Sequence, residues 1–221
     1  MSDDSFIREV DEELRQDRVK AFWQQYGLWI IAGAVAIVLA TAGAVLYQNW
    51  VQSRANASGD AFLQALGLAE RGQAGEAEAA LQQLEADGFG AYPVLARLRL
   101  ATLKAGQGEI DAAIAGFDSV AADSGVPEVI RDLARLRAAY LLVDHGSRED
   151  VAARVEPLTG DAHPLRHSAR EALGLAAFRA GDRDNAAALF QQIVNDAEAP
   201  LNLRERAGMM AELVRGTGAS G

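Results

Sequence analysis

The chain has 221 residues, of which 50% are hydrophobic and 24% are charged, and its formal net charge at pH 7 is −10. This acidic balance argues against nucleic-acid binding and against a polybasic grip on anionic lipid, because both need a positive surface. The chain contains no cysteine, which excludes disulfides, a thiolate nucleophile and a cysteine-ligated metal.

The first 22 residues form a charged tail, predicted to be cytoplasmic for reasons given below. Its apolar residues recur at the spacing of one helical face: Phe6, Ile7, Val10 and Leu14. Acidic residues precede most of the basic ones, an order that suits a helix dipole. The favoured interpretation is a solvated helix that leads into the next segment. The alternative is a docking helix for a cytoplasmic partner or for the membrane surface.

The longest uncharged run of the chain covers residues 21–53 and is bounded by Lys20 and Arg54. A bilayer core ~30 Å thick needs about 20 apolar residues in a helix, and this run supplies them. Aromatic residues that favour the headgroup level stand at both ends: Trp23, Tyr26, Trp29, Tyr47 and Trp50. The pattern predicts a transmembrane helix over residues 23–51. A buried core helix and a cleaved signal peptide are the alternatives.

Basic residues near the predicted span indicate its orientation. Four of them precede the span within about 20 residues, whereas only Arg54 follows it within that distance. By the positive-inside rule, the N-terminus is cytoplasmic and residues 54–215 are translocated. Ala42-Gly43-Ala44 has the look of a cleavage site, but the long preceding tail and the long apolar run favour an uncleaved signal-anchor. In a bacterium this predicts a single-pass inner-membrane protein with a periplasmic C-terminal domain.

The clearest repeat lies in the last third of the chain, where Leu173-Gly174 is followed by Gly181, Ala186 and Phe190. In tetratricopeptide repeats, hairpins of about 34 residues, these are frame positions 7, 8, 15, 20 and 24. Positions 8 and 20 take small side chains because the two helices of the hairpin cross there. Gly181 is expected in the turn with a positive φ, and Phe190 between neighbouring hairpins.

Three further copies of this frame, one good and two weak, lie upstream. The residues at position 24 are Leu84, Phe117, Val155 and Phe190, with spacings of 33, 38 and 35 residues. The sequence therefore predicts an all-α fold, in which the N-terminal transmembrane helix precedes a tetratricopeptide-like α-solenoid of about four helical hairpins and a C-terminal capping helix. Residues 216–221 are predicted to be flexible. Unrelated amphipathic helices in an alanine-rich bundle are the alternative.

Motifs for catalysis or cofactor binding are absent from the sequence, including the nucleophile elbow, the P-loop and the dinucleotide fingerprint. His163 and His167 have the i, i+4 spacing of two metal ligands, but Pro164 interrupts the pair, so a surface or inter-repeat role is favoured. We therefore expect no enzyme activity, no cofactor, no metal and no small-molecule substrate. A binding scaffold is what this fold most often is.

The first helices of tetratricopeptide hairpins line a concave groove. Carried onto this chain, the frame predicts a partner-binding groove of eight residues: Leu95, Leu98, Thr102, Ser168, Glu171, Leu175, Phe178 and Arg179. Apolar side chains with isolated charges suit a helix or an extended polypeptide. The alternative, that another part of the chain such as the terminal helix fills the groove, stays open.

Small residues also recur along the predicted span, at Ala32, Ala36, Ala40 and Ala44. Such a stripe lets another transmembrane helix approach closely, so it predicts a packing surface within the membrane. A passive anchor is the favoured alternative, because alanine is common in spans.

The whole arrangement resembles the bacterial family of ancillary subunits of the Sec (SecYEG) translocon, single-pass inner-membrane proteins with a periplasmic tetratricopeptide-like domain. The resemblance is carried by RVKAFWQQYGLWIIAGAVAIVLATAGAVLYQNWVQSRANASGDAF and by LGLAAFRAGDRDNAAALFQQ. It implies association with the translocon and with a membrane-anchored periplasmic chaperone, and help for newly translocated envelope proteins without catalysis. The alternative is a scaffold for another envelope assembly, in cell-wall synthesis, cytochrome maturation or outer-membrane biogenesis.

Overall fold

A computed structural model describes the backbone of residues 3–218 and the side chains of residue 20 and residues 22–216. These residues form nine α-helices and one 3₁₀ turn, with no strand among them. The helices are α1 Asp3–Glu70, α2 Ala74–Asp87, α3 Tyr92–Gly106, α4 Ile110–Ala122, α5 Glu128–His145, α6 Arg148–Val155, α7 Arg166–Arg179, α8 Arg183–Asn195 and α9 Leu201–Gly218, and the 3₁₀ turn is Glu156–Leu158. The predicted all-α fold is confirmed.

The chain divides into two compact units, residues 1–56 and residues 57–221. α1 contributes to both units, since its last turns belong to the second. In the first unit, the side chains of residues 28–50 are all exposed, although the segment is apolar on all sides, which is the pattern of a buried helix or a membrane span. The apolar stripe predicted for the charged tail, from Phe6 to Leu14, lies outside the described side chains. Of the C-terminus predicted to be flexible, residues 219–221 lie outside the described residues.

The second unit consists of four helical hairpins and a terminal helix. The hairpins pair the end of α1 with α2, α3 with α4, α5 with α6, and α7 with α8. Second helices also pack on the first helix of the following hairpin, as α4 does on α5 and α8 on α9. Contacts of α7 with α5 and with α9 show that first helices stand side by side. This is the predicted solenoid with its capping helix.

Four apolar clusters form the core, and each joins one hairpin to the first helix of the next. The cluster shared by α7, α8 and α9 contains Phe190, whose side chain is fully buried. Leu173 packs against the preceding cluster, which α5, α6 and α7 share. Because no hairpin can bury its apolar side alone, the stack is held together by these shared clusters.

The helices of a hairpin approach closely where the frame predicts small residues. A Cβ added to Gly174 would stand 2.9 Å from Cε1 of Phe190. In the second hairpin the near contact is between Ala101 at frame position 8 and Gly116, where an added Cβ would lie 2.9 Å from the Cβ of Ala101. Larger side chains at these positions would push the helices apart.

The turns of the first, second and fourth hairpins share one backbone geometry, and the turn of the third hairpin differs. Gly72, Gly108 and Gly181 have φ values of 77°, 81° and 80°, so the predicted positive φ at Gly181 is confirmed. In the third hairpin α5 runs on to His145, and a capping box on Ser147 then starts α6. The longer first helix is consistent with the 38-residue spacing of this copy.

Candidate partner-binding groove

The groove residues predicted on α3 lie at the edge of a core cluster. Leu95 is 37% exposed, whereas Leu98 is half-buried and packs against the cluster that α3, α4 and α5 share. The hydroxyl of Thr102 donates to the carbonyl of Leu98 at 2.9 Å, within the helix. This part of the surface therefore offers a partner mainly apolar contacts.

The groove residues predicted on α7 are more varied. Leu175 and Phe178 are half-buried against the cluster of α7, α8 and α9. Nη1 of the exposed Arg179 donates to the carbonyl of Val143 at 2.5 Å. Ser168 is half-buried, and its carbonyl accepts from the hydroxyl of Tyr140 at 3.3 Å. Two apolar side chains and one guanidinium thus lie along α7.

Glu171 differs from its neighbours because its carboxylate is already bound within the chain. It is 6% exposed. Oε2 accepts from the hydroxyl of Tyr140 in α5 at 2.7 Å, and Arg206 in α9 binds both carboxylate oxygens, with Nε 2.9 Å from Oε1 and Nη2 3.1 Å from Oε2. A carboxylate that accepts three internal hydrogen bonds has little capacity left for a partner. Its position favours a structural link between three first helices.

The environment of this link raises the pKa of two of its members. Burial raises the pKa of Tyr140 far above its ordinary value, and the hydrogen bond to Glu171 raises it further. The pKa of Arg206 is also raised, chiefly by its hydrogen bond to Glu171. Tyr140 therefore remains a neutral donor and Arg206 a cation.

Tyr140 and Arg206 both bind the predicted groove residue Glu171, but they were missing from the sequence-based set. Tyr140 directly follows Ala139, the small residue of the third copy, and so occupies frame position 9. Arg206 does not occupy a groove position when the frame is extended to the terminal helix, because the 34-residue period places Glu205 opposite Glu171. The signal for Tyr140 was present in the sequence, in a weak copy of the repeat, whereas the contact of Arg206 was visible only in the structure.

The structure brings the groove residues of α7 together with side chains of α5 and α9. The groove residues of α3 form a separate set, because the first helix α5 lies between α3 and α7 in the order of the chain. The terminal helix packs beside α7 as the next first helix. It covers one side of Leu175 and Phe178 through the shared cluster, and Met209 in α9 is 66% exposed.

The two histidines with metal-ligand spacing contact different carboxylates. His163, which precedes α7, places Nε2 3.2 Å from Oδ2 of Asp132 in α5. His167, in the first turn of α7, places Nε2 2.7 Å from Oδ2 of Asp196, beyond the end of α8. No group of three or more potential ligands that could hold a metal occurs among the described side chains. The histidines link neighbouring elements.

One helix of the described chain is long and apolar enough to cross a membrane, and its apolar window is fully exposed. A signal sequence near the N-terminus passes the same test. The four alanines of the predicted packing stripe, Ala32, Ala36, Ala40 and Ala44, are all exposed on this helix.

A family model of a tetratricopeptide repeat-like domain matches residues 20–207. The match begins at the edge of the uncharged run and extends through all four hairpins into α9. No curated protein and no solved structure matches the chain significantly.

Proposed function

From the premise that the chain belongs to the tetratricopeptide repeat-like domain family, we propose that it is a membrane-anchored module for protein–protein interaction. Domains of this family generally act as non-catalytic scaffolds that bind other proteins on the surface of the helical stack. The observation that carries the proposal is the single family match over residues 20–207, which joins an exposed apolar helix to the repeats.

The proposed topology places residues 1–22 in the bacterial cytoplasm, a signal-anchor over residues 23–51 in the inner membrane, and residues 54–215 in the periplasm. The excess of basic residues before the span supports this orientation. The exposed apolar segment supports an anchor, because a soluble location would leave about 20 apolar residues in contact with water.

The proposed binding surface is the row of first helices. Leu95 and Leu98 on α3, and Leu175 and Phe178 on α7, offer partly exposed apolar area beside polar groups. A polypeptide ligand gains most from such side chains, since apolar anchors that become buried dominate binding energy at interfaces. Glu171 contributes indirectly, by holding α5, α7 and α9 in place.

The finer part of the proposal is a role as an accessory factor of the Sec translocon and of membrane-anchored periplasmic chaperones, for newly translocated envelope proteins. It is supported by the resemblance of the sequence to the ancillary translocon subunits and by the effect of a membrane tether on local concentration. An anchored groove meets a chain that emerges from a neighbouring channel at a much higher effective concentration than a free protein would. Binding of this kind requires no catalytic group.

Site-specific crosslinking in native membranes tests the partners. A photoreactive amino acid replaces Leu95 or Arg179 in the full chain, and a matched control replaces Ala188, which is exposed on the second helix α8. We expect the two groove positions, but not the control, to capture translocon subunits, periplasmic chaperones or envelope clients.

Enrichment of cell-wall, cytochrome or outer-membrane assembly factors without the translocon would contradict the translocon role and favour the scaffold alternative. Equal capture from all three positions would contradict the groove. Topology has a separate test: a reporter that is active only in the periplasm, fused after Gly221, should be active, and an inactive reporter would reverse the orientation.

The alanine stripe of the span belongs to the same proposal. Ala32, Ala36, Ala40 and Ala44 provide a side of α1 where a channel or chaperone helix could approach closely, and close packing is what drives helix association in lipid. The anchor would then contribute to partner binding as well as to tethering.

A further inference from the structure

The terminal helix α9 has the core contacts of a first helix but lacks a second helix among the described residues. One side of it completes the last core cluster, through Leu203, Ala207, Ala211 and Val214. In the four hairpins, a second helix covers an adjacent side of each first helix. On α9 that adjacent side carries Gly208.

Gly208 follows Gly174 by 34 residues, one repeat period, and so stands at the small-residue position where a second helix would cross. The two glycines have different surroundings. A Cβ added to Gly174 would meet Phe190 of α8 at 2.9 Å, whereas beyond its chain neighbours and the backbone of its own helix no described atom lies within 4 Å of a Cβ added to Gly208. The crossing position on α9 is therefore open in the described part of the chain.

The side chains around Gly208 form a stripe along one side of α9. Leu201, Arg204, Gly208, Glu212 and Arg215 follow one another at helical spacing, so they share one side of α9. Leu201 is 63% exposed, and the side chains of Glu212 and Arg215, which pair with each other at 2.6 Å, are 74% and 57% exposed. Within the described residues no carboxylate pairs with Arg204.

Arg204 lies four residues before Gly208 and Glu212 lies four residues after it. We propose that α9 of a second copy of this chain occupies the open surface, with the two α9 helices antiparallel and crossing at Gly208 on a twofold axis. This axis places Arg204 of each copy against Glu212 of the other copy, so two pairs of opposite charge form. A closed interface of this kind requires one self-complementary surface, and the stripe meets that requirement.

Two further features favour a second copy over an unrelated helix. The absence of a side chain at Gly208 allows close approach of the helices at the axis. The same axis places the exposed Leu201 over the aliphatic part of Arg215 of the other copy, which covers apolar area on both sides. A parallel pairing would instead bring Arg204 of one copy against Arg204 of the other copy, and these like charges would repel each other.

The absence of native cysteine makes a direct test possible with the full chain in native membranes. Under mild oxidation, Gly208→Cys should form a disulfide-linked dimer, since the two positions meet at the axis. Leu201→Cys is the matched control on the same stripe. It lies about 10 Å from the axis along the helix, so its two copies are about 20 Å apart, and a disulfide requires Cα atoms within about 7 Å.

Charge exchange tests the predicted pairs in the Gly208→Cys background. Arg204→Glu and Glu212→Arg should each lower the yield of crosslinked dimer several-fold, and the combination of both should restore it. Far-UV circular dichroism checks that each variant keeps its helix content. These surface substitutions leave the α9 core contacts unchanged.

Any of three results overturns the proposal. The first is equal crosslinking of Leu201→Cys and Gly208→Cys, and the second is crosslinking of Gly208→Cys to a different protein instead of to a second copy. The third is a dimer yield that the charge substitutions leave unchanged. A Gly208→Leu variant gives an independent check. The leucine side chain would meet no other described helix of its own chain, so the variant should fold normally. It should nevertheless fail to dimerise, as measured by light scattering of the full chain in detergent. An unchanged mass would contradict the proposed crossing.

Discussion

Arg206 of α9 binds both carboxylate oxygens of Glu171 in α7, with donor–acceptor distances of 2.9 and 3.1 Å. The same carboxylate accepts a hydrogen bond from Tyr140 of α5. One buried acidic group thus connects the first helices of two hairpins with the terminal helix. The relative position of these helices, and with it the shape of the proposed groove, depends on a polar contact as well as on apolar packing.

Removing the cation should destabilise the repeat domain. In Arg206→Gln, the buried carboxylate of Glu171 loses its charged partner, and we expect the free energy of unfolding to fall by about 1–2 kcal/mol, since the arginine is half-exposed. Urea unfolding of the full chain in detergent, followed by circular dichroism, measures it. Arg183→Gln, at an exposed position in the first turn of α8, is the control and should change it by less than about 0.5 kcal/mol. Equal losses in the two variants would argue against the structural link.

Adding a methyl group at the crossing of the fourth hairpin should also destabilise it. The new Cβ of Gly174→Ala would stand 2.9 Å from Cε1 and 3.0 Å from Cζ of the fully buried Phe190. Overpacking of this kind costs about 1–3 kcal/mol. Gly75→Ala is the matched control in a helix, because no described atom lies within 4 Å of its added Cβ. A Gly174→Ala variant as stable as the control in thermal unfolding would show that Phe190 moves aside freely.

The turn between α7 and α8 provides a test of backbone strain. Gly181 has a φ of 80°, a conformation that costs an alanine roughly 1–2 kcal/mol. We therefore expect Gly181→Ala to lower the unfolding free energy by about that amount. Gly181→Asn should lower it less, because asparagine tolerates the left-handed region better. The reverse order of the two variants would be inconsistent with this explanation.

Acid should weaken the contact between α7 and the end of α8. The hydrogen bond from His167, followed by that from the backbone N–H of Glu198, lowers the pKa of Asp196 to about 2. Because the folded pKa lies below the unfolded value of about 3.9, this group stabilises the fold fully above that value and loses its effect as the pH falls towards 2. Asp196→Asn should therefore reduce stability at pH 6 and flatten its decline between pH 4 and pH 2.

Measurement of unfolding free energy across that pH range checks the Asp196 prediction. Asp184→Asn, in the exposed first turn of α8, is the control and should keep the wild-type slope. An unchanged slope in Asp196→Asn would mean that other carboxylates dominate the acid response.

Enlarging the alanine stripe tests the proposed role of the anchor. Ala36→Leu with Ala40→Leu keeps the segment apolar, so insertion should remain normal, while the larger side chains should prevent close approach of a second helix. We expect reduced co-purification of membrane partners. Val38→Met, which is exposed on α1 outside the stripe, is the control. Unchanged co-purification in the double variant would support a passive anchor.

The helical repeat could be predicted from the sequence because its signals are local. Leu173, Gly174, Gly181 and Phe190 lie within one hairpin, and each has a separate physical reason for its residue type. The third hairpin was harder to place, since its first helix is longer and its turn lacks the positive-φ glycine of the other three. For that reason Tyr140 was absent from the predicted groove.

The sequence by itself determined the uncharged segment, the period of the hairpins and the positions where helices cross, because composition and short spacing decide these features. Only the tertiary structure decided which polar side chains are used internally. Glu171 meets Tyr140 and Arg206 across 31 and 35 residues of chain, and no local pattern specifies such a contact. The same holds for the two glycines of equal frame position: Gly174 is covered by Phe190 and Gly208 is open, because coverage depends on whether another helix packs there.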